Sequence, residues 1–129
     1  NFKHPRQDMA WVAFAGPLSN FALAAGAGLL LKFGVVSATT LIGLFVYVFV
    51  MVNLGLGIFN MIPFPPLDGS KILYGILPSE IAYKLMGLEM RYAQFIPFVL
   101  IILILSGILD PVIVLPYRFL FRVFTGLYI

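Results

Sequence analysis

Charged side chains are absent from Met9 to Leu31, return at Lys32, and are absent again from Leu41 to Phe59. About 20 apolar residues suffice to cross a bilayer, so each run predicts a transmembrane helix. The connection between them, Lys32 to Thr40, is short and marked by Gly34 and Ser37. Asp8 supplies an N-cap for a first helix starting near Met9, and Pro17 predicts a kink whose freed backbone groups Ser19 and Asn20 could satisfy. Ala15, Ser19, Ala22 and Gly26 recur at helical spacing and predict one close-packing face. In the second run Gly55 and Gly57 loosen the helix, which should give way near Asn60. A short helix over Asp68 or Ser70 to Leu77 is expected next, followed by a mixed interfacial stretch from Pro78 to Arg91. The third apolar run, Tyr92 to Leu109, is interrupted only by Pro97 and ends at Asp110-Pro111. Residues 112–129 read as a surface-lying helix, or else as a fourth span, because Arg118 and Arg122 share one face.

The resulting expectation is an all-α membrane protein, a bundle of three helices with residues 112–129 as the candidate fourth. Composition agrees. Hydrophobic residues make up 62% and charged residues 10% of 129 residues, and mean hydropathy is +1.08, far from a soluble domain. The length suits one transmembrane domain over residues 1–129 without an added soluble domain. A net charge of +3, unclustered, gives no support to nucleic-acid binding, and the absence of cysteine excludes disulfides and thiolate metal sites.

One segment breaks the helical pattern. Asn60-Met61-Ile62-Pro63-Phe64-Pro65-Pro66-Leu67-Asp68-Gly69 places an amide, three prolines and a carboxylate beside an apolar span. The prolines remove backbone donors, and unsatisfied backbone in hydrocarbon costs several kcal/mol per group. Such a segment must be buried in protein or line a wet cavity. An ionisable residue there, Asp68, is a functional-site hypothesis in its own right. At the start of a helix, Asp68 faces orphan amides that favour an anion, the form that binds metal. The alternative role for Asp68 is a structural cap, and Asn60 could equally satisfy broken-helix backbone. Asn20 and Asn53 read as interhelical hydrogen-bond partners. Lys71, one turn on, either snorkels to the interface or pairs with Asp68. The prolines hold the segment extended, which could present a backbone edge to an unwound substrate.

The ten-residue segment resembles the second signature of the site-2 protease family, the zinc intramembrane metalloproteases. Ala15-Gly16-Pro17-Leu18-Ser19-Asn20 is similar to the Gly-Pro-x-x-Asn element on that family's preceding helix, in the right order and separation. The resemblance implies that Asp68 is a Zn²⁺ ligand and that Asn60 is a catalytic residue that positions substrate or stabilises the transition state. It also implies cleavage of transmembrane segments of membrane-tethered regulatory proteins, by a multi-pass protein of the lipid bilayer. The compact form resembles prokaryotic plasma-membrane members.

A catalytic zinc takes three protein ligands and keeps an open position. The usual His-Glu-x-x-His partner element is not in this sequence, and its one histidine, His4, has no glutamate at the required spacing. In the family that element precedes the Gly-Pro-x-x-Asn helix. The chain therefore reads as the C-terminal part of a protease core whose N-terminal part carries the missing ligands, consistent with its start at Asn1, and it is expected to be inactive alone. Two other classes compete: a non-catalytic membrane binding protein with a protease-like fold, and a fragment of an ion-coupled transporter. Lys3 and Arg6 outweigh Lys32, which places the N-terminus and the motif toward the cytoplasm.

Overall fold

The computed structural model describes residues 4–129; Lys3, on which the orientation expectation partly rests, lies outside them. Every regular element among the described residues is an α-helix: α1 (Pro5–Lys32), α2 (Leu41–Asn60), α3 (Asp68–Ile76), α4 (Ser79–Arg91), α5 (Ile96–Ser106) and α6 (Asp110–Thr125). The all-α membrane class expected from the pattern is therefore observed. Two of these helices, α1 and α2, are long and apolar enough to cross a membrane, and α4 with α5 makes a third candidate if that bent pair is one span.

Helix α1 begins four residues earlier than Met9. Pro5 suits a first helical position because its missing N–H would have no partner there. Asp8 thus lies in the first turn rather than at the cap, and its carboxylate accepts the His4 backbone N–H at 3.2 Å. The helix continues through Pro17 to Lys32 and ends at Gly34, whose φ of +73° only glycine adopts freely. Thr40 caps α2, its hydroxyl accepting the Gly43 N–H at 3.0 Å.

The run from Tyr92 to Leu109 is not one continuous helix. Pro97 occupies the first turn of α5, so the helix starts there instead of being interrupted, and Gly107 at φ +79° stops it. Eleven residues cover only about 16 Å, short of the roughly 30 Å of hydrocarbon. Helix α4, where an interfacial stretch was expected, meets α5 at a bend of 97°.

Contacts divide the chain into two compact units. The first holds the chain up to Pro17 together with Asn60–Asp110, and the second holds Leu18–Phe59 and Pro111–Ile129. The core of the second is Ala24, Val50, Leu54, Ile58 and Phe121. Phe121 is fully buried, with the Tyr47 ring edge-on at 5.3 Å and Tyr117 stacked at 6.3 Å. Within residues 112–129 the helix, α6, runs only to Thr125; it sends one face into this core while Arg118 and Arg122 stay exposed. Glycine permits two close approaches here. A Cβ on Gly28 would lie 2.8 Å from the Phe124 carbonyl oxygen, and one on Gly57 would lie 2.7 Å from the Phe21 ring.

The face of α1 expected to pack closely is the open one. Ala15, Ser19, Ala22 and Gly26 are all exposed, whereas Ala13, Pro17, Ala24, Gly28 and Leu31 are buried. Asn53 is buried, but its amide donates within α2, to the Phe49 carbonyl at 2.9 Å, rather than to another helix.

Candidate metal-ligand site

The first unit builds a site around Asp68. Helix α2 ends at Asn60, which is half-buried, and the chain then folds through turns instead of running extended. Phe64 N–H donates to the Ile62 carbonyl and Leu67 N–H to the Phe64 carbonyl, both at 2.8 Å. These turns bring the chain back over its own path, so that a side chain on Gly69 would collide with the carbonyl oxygens of Met61 and Ile62. Only glycine fits there, which accounts for the residue after the aspartate. Ser70 closes the turn, its hydroxyl donating to the Leu67 carbonyl at 2.8 Å in a buried position.

Helix α3 opens at Asp68 as expected, with Leu67 at the N-cap and no side-chain cap bond. The Asp68 side chain is therefore not the cap of its own helix. It is half-buried and lines an open cavity of about 210 Å³ with Met9, Val12, Ala13 and Lys71. A Cβ on Gly16 would stand 3.2 Å from Asp68 Oδ2. The glycine of the Gly-Pro-Leu-Ser-Asn element thus leaves room for the carboxylate, and the two sequence elements meet at this atom. Pro17 beside it is buried. Asn20 of the same element belongs to the second unit.

The contact continues along α1 and α3, which run antiparallel. Gly16 faces Asp68, a side chain on Gly75 would collide with Ala10, and Arg6 reaches the last turn of α3. Its guanidinium donates to the carbonyls of Tyr74 and of Leu77, the latter at 2.7 Å. Arg6, Ala10, Ala13 and Gly16 are spaced to share one face of α1. A larger apolar cavity of about 320 Å³ lies beside this seam, walled by Trp11, Phe14, Ile72 and Ile76 among others.

On the other side of α3, buried Tyr74 donates its hydroxyl to Glu89 Oε1 of α4 at 2.7 Å. Burial, then the Glu89 hydrogen bond and charge, push the Tyr74 phenol above the ordinary tyrosine pKa. The sequence points to none of Arg6, Tyr74 and Glu89 as a site residue; Arg6 enters there only through its charge, for orientation. No local pattern marks them, because each acts on a residue 15 or more positions away.

Asp68 offers a hard oxygen donor facing open space, with the neighbouring backbone cleared by Gly16, and fits as one zinc ligand. The donor set is not completed nearby. Among the described residues no group of three or more His, Cys, Asp and Glu side chains could hold a metal ion. His4 precedes α1, whose first residue, Pro5, is already about 16 Å along the helix axis from Gly16, too far for His4 to share an ion with Asp68.

The profile of Peptidase family M50 matches residues 32–105. The Bacillus subtilis (strain 168) protein named "Putative zinc metalloprotease YwhC" is 34% identical over 95 residues, which cover 68% of this chain and 43% of that protein. The chain thus spans less than half the length of the curated relative it matches. No solved structure matches.

Proposed function

This chain belongs to peptidase family M50, the site-2 protease family, and on that premise we propose that it is part of the core of an intramembrane zinc metalloprotease, to which it supplies Asp68 as a zinc ligand. The observation that carries the proposal is the meeting of the two motif elements, Gly16 against the Asp68 carboxylate beside an open cavity. The chemistry a bound zinc would supply is a water of lowered pKa, about 7, and polarisation of the scissile carbonyl. This chain's residues hold and surround that chemistry. Asp68 presents an oxygen from the first turn of α3, Gly16 keeps a methyl group away from it, and Met9, Val12, Ala13 and Lys71 line the open cavity beside it. Asn60, at the start of the turn segment, is assigned the positioning of substrate or stabilisation of the transition state.

The remaining ligands are assigned to a His-Glu-x-x-His helix outside this chain, so that these 129 residues alone are inactive. The substrate class proposed is the transmembrane segment of a membrane-tethered regulatory protein, in a prokaryotic plasma membrane. The test uses the protein encoded by the full reading frame, purified in detergent with a transmembrane peptide substrate. Asp68→Asn should lower cleavage more than about 100-fold, since even partners of metal ligands cost 10- to 100-fold. Zinc content should fall with it. Undiminished cleavage and zinc content in Asp68→Asn would overturn the assignment.

A further inference from the structure

Helix α3 has nine residues, too few to hold a helix in place by itself. Its position is therefore set by what touches it. At its start the Asp68 carboxylate lies against Gly16, and Gly69 against the carbonyls of Met61 and Ile62. At its end two carbonyls of the final turn, those of Tyr74 and Leu77, converge on one guanidinium, Arg6. Tyr74 lies in the last turn of α3 and Leu77 is its C-cap residue, a place where a cation is the favoured group. Both bonds leave the same guanidinium nitrogen, Nη1, so two acceptors three residues apart are gathered on one charged donor, which limits both the slide of α3 along its axis and its rotation about it. The Arg6 guanidinium is itself steadied, lying 6.0 Å over the Tyr83 ring of α4.

We infer that Arg6 is a positioning residue for Asp68: by holding the C-terminal carbonyls of α3 it sets where the carboxylate at the other end of that helix stands. The two ends are about 10 Å apart, so a small tilt at Arg6 moves the Asp68 oxygens by a comparable amount. Metal ligands tolerate only about ±0.2 Å in distance. A surface arginine serving only solubility would be free to leave; this one is half-buried and occupied by backbone.

The inference rests on Asp68 as a zinc ligand, and its test separates the two claims. In the full-length protein, Co²⁺ replaces Zn²⁺, and its d–d absorption and its affinity in chelator competition are recorded for the parent, Asp68→Asn, Arg6→Gln, Arg6→Lys and Phe121→Ala. Arg6→Gln should weaken Co²⁺ binding about 10-fold or more and alter the d–d bands, as loss of a supporting partner does. Arg6→Lys, which keeps the charge but ends one bond short of the Nη1 position, should fall between it and the parent, and decides the matter if Arg6→Gln does not fold. Phe121→Ala, a core change in the other unit, should lower thermal stability without moving the Co²⁺ signature. If Asp68→Asn leaves the Co²⁺ site intact, the ligand reading fails. If Asp68→Asn destroys the site but the Arg6 variants bind like the parent, or Phe121→Ala weakens binding as much as they do, the positioning role is refuted.

Discussion

Adding one methyl group at Gly75 should force α1 and α3 apart, and removing one from Ala10 should let them close again. The Cβ of Gly75→Ala would overlap the Ala10 Cβ, whereas its next neighbours, the Arg6 carbonyl oxygen at 3.5 Å and Gln7 Cα at 3.7 Å, are at ordinary contact distance. Carbon atoms pack at about 3.5–4.0 Å, so the helices must separate by more than about 1 Å or twist. Overpacking of this kind costs about 1–3 kcal/mol. Alanine's better helix propensity returns about 1 kcal/mol, leaving Gly75→Ala up to about 2 kcal/mol less stable than the parent. Ala10→Gly alone costs about 1 kcal/mol on the same scale. If the two changes were independent, the double variant would be the least stable of the set. Because Ala10→Gly removes the one atom in conflict, the double variant should instead be more stable than Gly75→Ala, with a coupling of about 1–3 kcal/mol. Reversible unfolding in mixed detergent micelles, followed by far-ultraviolet circular dichroism, gives all four values. A double variant about 1 kcal/mol below Gly75→Ala would refute the antiparallel seam between α1 and α3 on which the site and the Arg6 inference both depend.

Two further outcomes follow from the same geometry. Tyr74→Phe removes the bond to Glu89 and should cost about 1–2 kcal/mol at neutral pH. Because the folded Tyr74 pKa is raised, its contribution is complete below the ordinary tyrosine value of about 10 and is lost as pH rises through the folded value. A pH series of unfolding midpoints should therefore show a shallower alkaline decline in Tyr74→Phe than in the parent; parallel declines would remove Tyr74 from the account. Phe121→Ala empties the most buried aromatic position of the second unit and should cost about 3–5 kcal/mol in the same unfolding assay. A loss below about 1 kcal/mol would mean that α6 does not pack through Phe121.

Several readings depended only on local chemistry, and these match the structure. Asp68 opens a helix because three prolines exclude regular helix before it and nothing excludes it afterwards. The short connection after α1 is where expected because Gly34 can turn the chain. Readings that needed a partner's location fared differently. Pro97 was read as a flaw inside one span, but it is the start of a short helix, and the polypeptide bends before it. The prolines at 63, 65 and 66 were read as holding an extended strand-like edge, yet the bonds from Phe64 and Leu67 fold that segment into turns.

What the sequence by itself determined is the helical membrane class, the broken segment from Asn60 to Gly69, and the carboxylate at the head of α3. Each follows from hydrophobicity or from backbone donors that proline lacks, properties a residue carries with it. Which face of α1 is buried was decided only in the tertiary structure. A membrane helix is apolar on every side, so its pattern does not distinguish the face that meets lipid from the face that meets protein. The stripe of Ala15, Ser19, Ala22 and Gly26 was as good a candidate as any, and it is exposed. The meeting of Gly16 with Asp68, and the reach of Arg6 across 71 residues to Leu77, exist because α1 and α3 pack antiparallel. No spacing along the chain encodes that contact.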